Sequence, residues 1–181
     1  MRFTLLGIDM QPHKNFASIR PMEPVKRVMR LTMNGDNWIV LTQLTHWGNN
    51  DDAFPGTHKE LRDLVSGYRH VHFVDKSCSS AALHTKNSRN AEIENSTCFV
   101  LVGCNTDGCV LATAVGLTTP DGTKSAYGLI DLFPGAQIIV IKEGCDTISD
   151  AADPFEGFAK YPQIRLLETV DELESMIAAA N

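Results

Sequence analysis

The chain has 181 residues, 43% of them hydrophobic, enough for one well-buried core and too few for two comfortable domains. With 16 Lys and Arg against 22 Asp and Glu, its formal net charge is -6, which argues against a nucleic-acid partner, since a phosphate-backbone binder normally shows a basic face. No apolar run reaches the ~20 residues needed to span a bilayer, and MRFTLLGIDM reads as a first strand rather than a signal peptide, so no membrane partner is expected.

In chain order, apolar β-branched runs predict strands near 3–8, 38–44, 70–75, 97–103, 137–142 and 163–167. FTLLGI, FVLVG and IIVI are continuous rather than alternating, as expected of strands covered on both faces. Between them, Pro24 starts a helix that Gly35 stops. Further helices are expected over 57–66, 79–88 and 107–118, with TVDELESMIAAA as a terminal one carrying Thr169 and Glu172 at capping-box spacing. The 118–135 segment is long for a connection and reads as a lid, an oligomer contact or an insertion; Tyr127, Leu129 and Phe133 make it apolar enough to pack. The expected fold class is α/β: a single domain over 1–181, built as a three-layer α/β/α, Rossmann-like sandwich around a six-stranded, mainly parallel sheet of order 3-2-1-4-5-6.

The five cysteines are odd in number and irregularly spaced, with no CxxC pair, which argues for reduced thiols in a cytoplasmic protein and against structural zinc. Cys98 and Cys104 read as small core residues, whereas Cys109 opens a helix after a buried strand. Asp9 and Lys76 close two other strands in the same way. Ligands of doubly wound sheets sit beyond the strands' carboxyl ends, so an acid, a base and a thiol would converge there. Lys76 would start two strand spacings from the first strand, roughly 9–10 Å, most of which a lysine can cover. Singly, each has a bland explanation as a turn residue, a solvated lysine or a packed cysteine.

Jointly, these residues resemble the isochorismatase-like cysteine hydrolases, which include nicotinamidases and N-carbamoylsarcosine amidohydrolases. The likeness rests on IDMQ at 8–11, PGT at 55–57 with Glu60, Lys76-Ser80-Ala81-Thr85, and Gly103-Thr106-Cys109-Val110-Thr113-Ala114. It implies a catalytic triad of Asp9, Lys76 and Cys109, an oxyanion hole from the backbone N–H groups of Asn105 and Cys109, and a non-proline cis peptide at Cys104–Asn105. It also implies a small-molecule substrate and a homo-oligomer, dimer or tetramer. A nearby ammonium and a helix N-terminus would lower the Cys109 thiol below its usual ~8.5. Asp9 would exchange the proton while the sulfur attacks an amide, carbamoyl or ureido carbonyl.

The family's metal-binding members use an Asp-x-His after the second strand, and here Leu44 replaces the Asp before His46. A hydrocarbon cannot ligate, so neither a metal nor another cofactor is expected. The loop after Gln11 departs from the family's DMQNDF, with its aromatic two residues late at Phe16. Phe16, His46 and Trp47 are the candidate pocket residues, and His58 reads as a helix-surface residue. Two other functions compete: a vinyl ether hydrolase, disfavoured by an intact Cys109, and a degenerate binding or scaffold protein.

Overall fold

A computed structural model describes residues 1–46 and 54–180. In chain order the elements are β1 (Thr4–Ile8), α1 (Met22–Asn34), β2 (Trp38–Leu44), α2 (Lys59–Leu64), β3 (Val71–Lys76), α3 (Ala82–Lys86), α4 (Ala91–Glu94) and β4 (Cys98–Cys104). A π-helical turn (Thr106–Val110) then leads directly into α5 (Leu111–Val115), followed by β5 (Leu117–Thr118), β6 (Lys124–Ala126) and α6 (Leu129–Leu132). The chain closes with β7 (Gln137–Asp146), a single 3-10 turn, β8 (Ile164–Leu167) and α7 (Val170–Ala179). The main sheet has six parallel strands in the order β3-β2-β1-β4-β7-β8, the expected order once the β5–β6 hairpin is set aside.

Both sheet faces are covered, which is why the strands read as continuous apolar runs. Leu5 of β1 and Val100 and Val102 of β4 pack with Val25 and Met29 of α1, Leu61 of α2 and Leu173 of α7. The alternate positions Leu6, Ile8, Phe99 and Leu101 face Ala82 of α3, Ile93 of α4, Ala114 of α5 and Leu129 of α6. The outcome is three layers, as the sequence predicts.

Several boundaries differ, each for a local reason. The first helix begins at Met22 rather than Pro24, while Gly35 stops it as expected. The helix after β4 ends at Val115, not 118, because Gly116 adopts φ +82 and a Cβ there would collide with the Ala126 backbone. Thr169 does not cap α7 through its side chain; the Glu143 carboxylate accepts from the Val170 N–H instead. Such a cap comes from β7 and has no local sequence signature. The expected 79–88 helix is the shorter α3, and α4 follows it with Asn90 as N-cap, accepting from the Glu92 and Ile93 N–H groups. In the 118–135 segment Leu129 and Phe133 are buried and Tyr127 is exposed.

The order of strands reverses between β1 and β4, and that seam positions the chemistry. Gly103 adopts φ +123, and a Cβ on it would overlap the Ile8 carbonyl. Only glycine lets β4 run this close to β1, immediately before the chain turns toward Cys109. Asp9 itself takes a left-handed φ of 49, which Asp tolerates better than most residues.

Candidate active site

Asp9, Lys76 and Cys109 converge at the carboxyl end of the sheet. Lys76, the last residue of β3, lies in register with Leu44 of β2 and reaches across to Asp9. Its Nζ lies 2.8 Å from Asp9 Oδ2, and both side chains are fully sealed from solvent. The same ammonium donates to the Cys78 carbonyl at 2.9 Å and the Ser79 carbonyl at 3.0 Å. Its three N–H groups are thereby used, two as hydrogen bonds to carbonyls and one toward the carboxylate.

Asp9 carries the opposite half of this buried pair. Burial pushes its carboxyl above the ordinary 3.8, while the charge of Lys76 and contacts with Lys76 and Cys109 pull it back down. Among the described residues, neither carboxylate oxygen has a hydrogen bond of good geometry beyond that ion pair. Asp9 is therefore an acceptor with capacity to spare beside the thiol.

Cys109 is 6% exposed and stands in the π-helical turn rather than at a free helix start. Burial, then the negative charge of Asp9, pushes its thiol up to about 12, and Lys76 only partly opposes this. The sequence expectation of a lowered thiol is thus corrected. The reason is that Lys76 comes paired with a carboxylate, so the thiol meets a nearly neutral couple in a dry site rather than a lone cation.

The peptide between Cys104 and Asn105 is cis, as the resemblance implies. The Asn105 side chain is committed to the loop after β1: its Oδ1 accepts from Ala17 N at 3.4 Å and its Nδ2 donates to the Asn15 carbonyl at 2.9 Å. These bonds hold that loop over the site and place Phe16, 7% exposed, beside the nucleophile.

A cavity of about 250 Å³ opens next to Cys109. Phe16, Leu44, Phe54 and Ile148 form its apolar wall, and Asn15, Ser79, Asn105 and Gly108 its polar side. Phe16 and Phe54 meet edge to face at 5.4 Å between centroids. Of the sequence candidates, Phe16 lines the cavity, while His46 is exposed at the end of β2 and is not among the described lining residues. Trp47 lies outside the described residues. His58 is more than a surface residue: its Nε2 lies 2.8 Å from Ser18 Oγ, and burial lowers its pKa against the opposing charge of Glu60. Leu44 is 2% exposed in the cavity wall, where a hydrocarbon offers no donor to a metal. Among the described residues, no three His, Cys, Asp or Glu side chains come together as a ligand set.

Sequence reasoning missed Phe54, Ser79 and Ile148 as lining residues and Gln11 as a brace. Ile148 was hidden because the fifth main strand runs to Asp146 rather than 142. With that end correct, the carboxyl-end rule places 146–149 at the mouth. Gln11 is fully buried, and its amide donates to the Leu44 carbonyl at 2.9 Å and the Pro55 carbonyl at 2.6 Å while accepting from Leu44 N at 2.8 Å. One side chain so fixes the ends of β1 and β2 and the PGT loop. Gln11→Leu should lower stability by about 1–3 kcal/mol, because three backbone groups lose their partner inside the protein; chemical denaturation measures this, and an unchanged midpoint would refute the bracing role.

The residues that carry the resemblance also have structural work. Ser80 Oγ donates to the Tyr127 carbonyl at 2.7 Å, and Thr113 Oγ1 accepts from Ala81 N at 3.0 Å, tying α3 to the 118–135 segment and to α5.

No protein-family model matches the sequence, nor does that of any curated protein. Solved structures do match in fold. The nicotinamidase of Bacillus subtilis is 16% identical, with 93% of this chain and 100% of that chain covered at a TM-score of 0.68. The N-carbamoylsarcosine amidase of Thermoplasma acidophilum is also 16% identical, with coverages of 92% and 95% and a TM-score of 0.68. A ribonuclease from Caenorhabditis elegans is 15% identical, with coverages of 94% and 78% and a TM-score of 0.69. At these identities the likeness establishes the shared three-layer fold.

Proposed function

We propose that this protein is a cysteine hydrolase that cleaves a C–N bond of a small amide, carbamoyl or ureido compound without a metal. The observation that carries this reading is the sealed Asp9–Lys76 pair beside Cys109, at the edge of a cavity large enough for a small substrate. Such a buried pair is costly, since desolvating two charges is seldom repaid in full by their attraction. Its position next to a nucleophile gives it a use.

The chemistry follows from the protonation states. The resting thiol is neutral, so Asp9 takes its proton as Sγ attacks the carbonyl carbon. The carbonyl π electrons move to oxygen, where the N–H groups of Asn105 and Cys109 would receive the oxyanion. Asp9 then gives the proton to the leaving nitrogen as the C–N bond breaks, leaving a thioester. Water, deprotonated by Asp9, attacks that thioester and releases the acid and the thiol. Lys76 keeps Asp9 oriented and holds its carboxyl lower than burial alone would.

The fold neighbours' names support amide chemistry. The C. elegans neighbour's name suggests a nuclease, but a net charge of -6 offers little to a phosphate backbone. A screen for ammonia release over small amides and ureas, run with and without a metal chelator, tests the proposal. At least one compound should be hydrolysed, with chelator changing the rate less than about twofold, because Leu44 provides no metal ligand. Hydrolysis that disappears on chelation and returns with zinc would overturn the metal-free mechanism.

A further inference from the structure

We propose that the cavity beside Cys109 selects an uncharged amide with a small, branched apolar body and rejects amides bearing a carboxylate or an ammonium. This deepens the amide-hydrolase reading and rests on it. Among the described lining residues none carries a formal charge. The cation nearest the nucleophile, Lys76, is already committed to Asp9 and to the Cys78 and Ser79 carbonyls. Arg20, another cation at this end of the sheet, pairs with Asp146. A substrate carboxylate would therefore lose its water and gain no charged partner among the described lining residues. An ammonium fares no better, because the carboxylates buried at this end of the sheet among the described residues, Asp9 and Asp146, are already paired with Lys76 and Arg20.

The wall explains what does fit. Leu44, 2% exposed, adds hydrocarbon to the cavity wall, Phe16 and Phe54 supply aromatic rings, and Ile148, 56% exposed, forms an apolar rim that a substrate would cover. The volume of about 250 Å³ lies below the ~300–1,000 Å³ typical of drug-sized ligands. At the ~30 Å³ share of a water molecule, it holds about eight heavy atoms.

Isocaproamide and succinamate make a matched pair, equal in heavy-atom count, with an isopropyl group in one where the other has a carboxylate. γ-Aminobutyramide adds the ammonium case. Binding to the Cys109→Ala variant is measured by calorimetry, and hydrolysis by the unmodified protein through ammonia release. Isocaproamide should bind at least about a hundredfold more tightly than either charged amide, the cost of burying an unpaired charge. Ile148→Lys, a change at the exposed rim, should then improve succinamate binding by about tenfold or more and leave γ-aminobutyramide without gain. Equal or tighter binding of a charged amide, no binding of isocaproamide, or no gain for succinamate in Ile148→Lys would each overturn the selectivity. If isocaproamide binds selectively while no amide or urea of the screen is hydrolysed, the selectivity stands and the hydrolase reading fails, so the two failures are separable.

Discussion

Replacing Cys109 with alanine should lower hydrolysis by at least about a thousandfold while the protein stays folded, because the sulfur is the atom that forms the covalent intermediate. Asp9→Asn should cost about 10²–10⁴, the usual worth of a positioned base. The pH profile separates the base mechanism from a preformed thiolate. Asp9 must be ionised to act, and burial raises its carboxyl above 3.8. The rate should climb as pH rises through that raised value and then level off. With the thiol pushed up to about 12, no second climb belongs near the ordinary ~8.5 of a free thiol. A profile controlled by a step near that value, retained in Asp9→Asn, would show that Cys109 ionises by itself and that Asp9 is not its base. Alkylation follows the same logic: the exposed Cys78 should react with a neutral reagent before the buried Cys109.

The second large effect is on stability and activity together. Lys76→Met keeps the length of the side chain but deletes its charge inside the protein, where Lys76 is 1% exposed and Asp9 fully buried. Removing the ammonium strands a buried carboxylate and two carbonyls, which should cost about 3–5 kcal/mol. It also removes what holds the Asp9 carboxyl down, so that group rises further above 3.8 and the acid limb of activity moves to higher pH. The linkage has a definite sign. A carboxyl whose folded pKa lies above its unfolded value favours the fold fully below the unfolded pKa and loses that contribution as pH rises through the folded one. The instability of Lys76→Met should therefore shrink toward acid pH, starting from the raised Asp9 value and completing near 3.8. Adding Asp9→Asn should recover part of the stability at neutral pH and none of the activity. Denaturant titrations of the single and double variants between acid and neutral pH check this. Equal destabilisation at every pH would mean that Asp9 is not the stranded charge.

The three residues were legible because each terminates a hydrophobic run, and in a parallel sheet the ends of such runs share one edge. The continuous apolar strands likewise determined the layers, since only two-sided burial tolerates them. The strand order followed from the doubly wound rule, and it made a Lys76–Asp9 contact reachable. What the sequence could not supply were contacts made by chain segments far apart: the Gln11 brace across β1, β2 and Pro55, and the Glu143 cap on α7.

The tertiary structure also decided the sign of the thiol shift. Sequence placed a cation near Cys109, but the outcome depends on how dry the site is and on where the cation's own counter-charge lies. Asp9 and Lys76 reach the thiol together, so their fields largely cancel and burial prevails. The same holds for the cavity. Leu44 announced the lost ligand by itself, whereas its role in an apolar wall shared with Cys109's cavity exists only once β2, the loop carrying Phe16 and the segment after β7 are brought to one place. Residue identity, then, set which chemistry was available, and the low-dielectric geometry of the fold set the protonation state in which it operates.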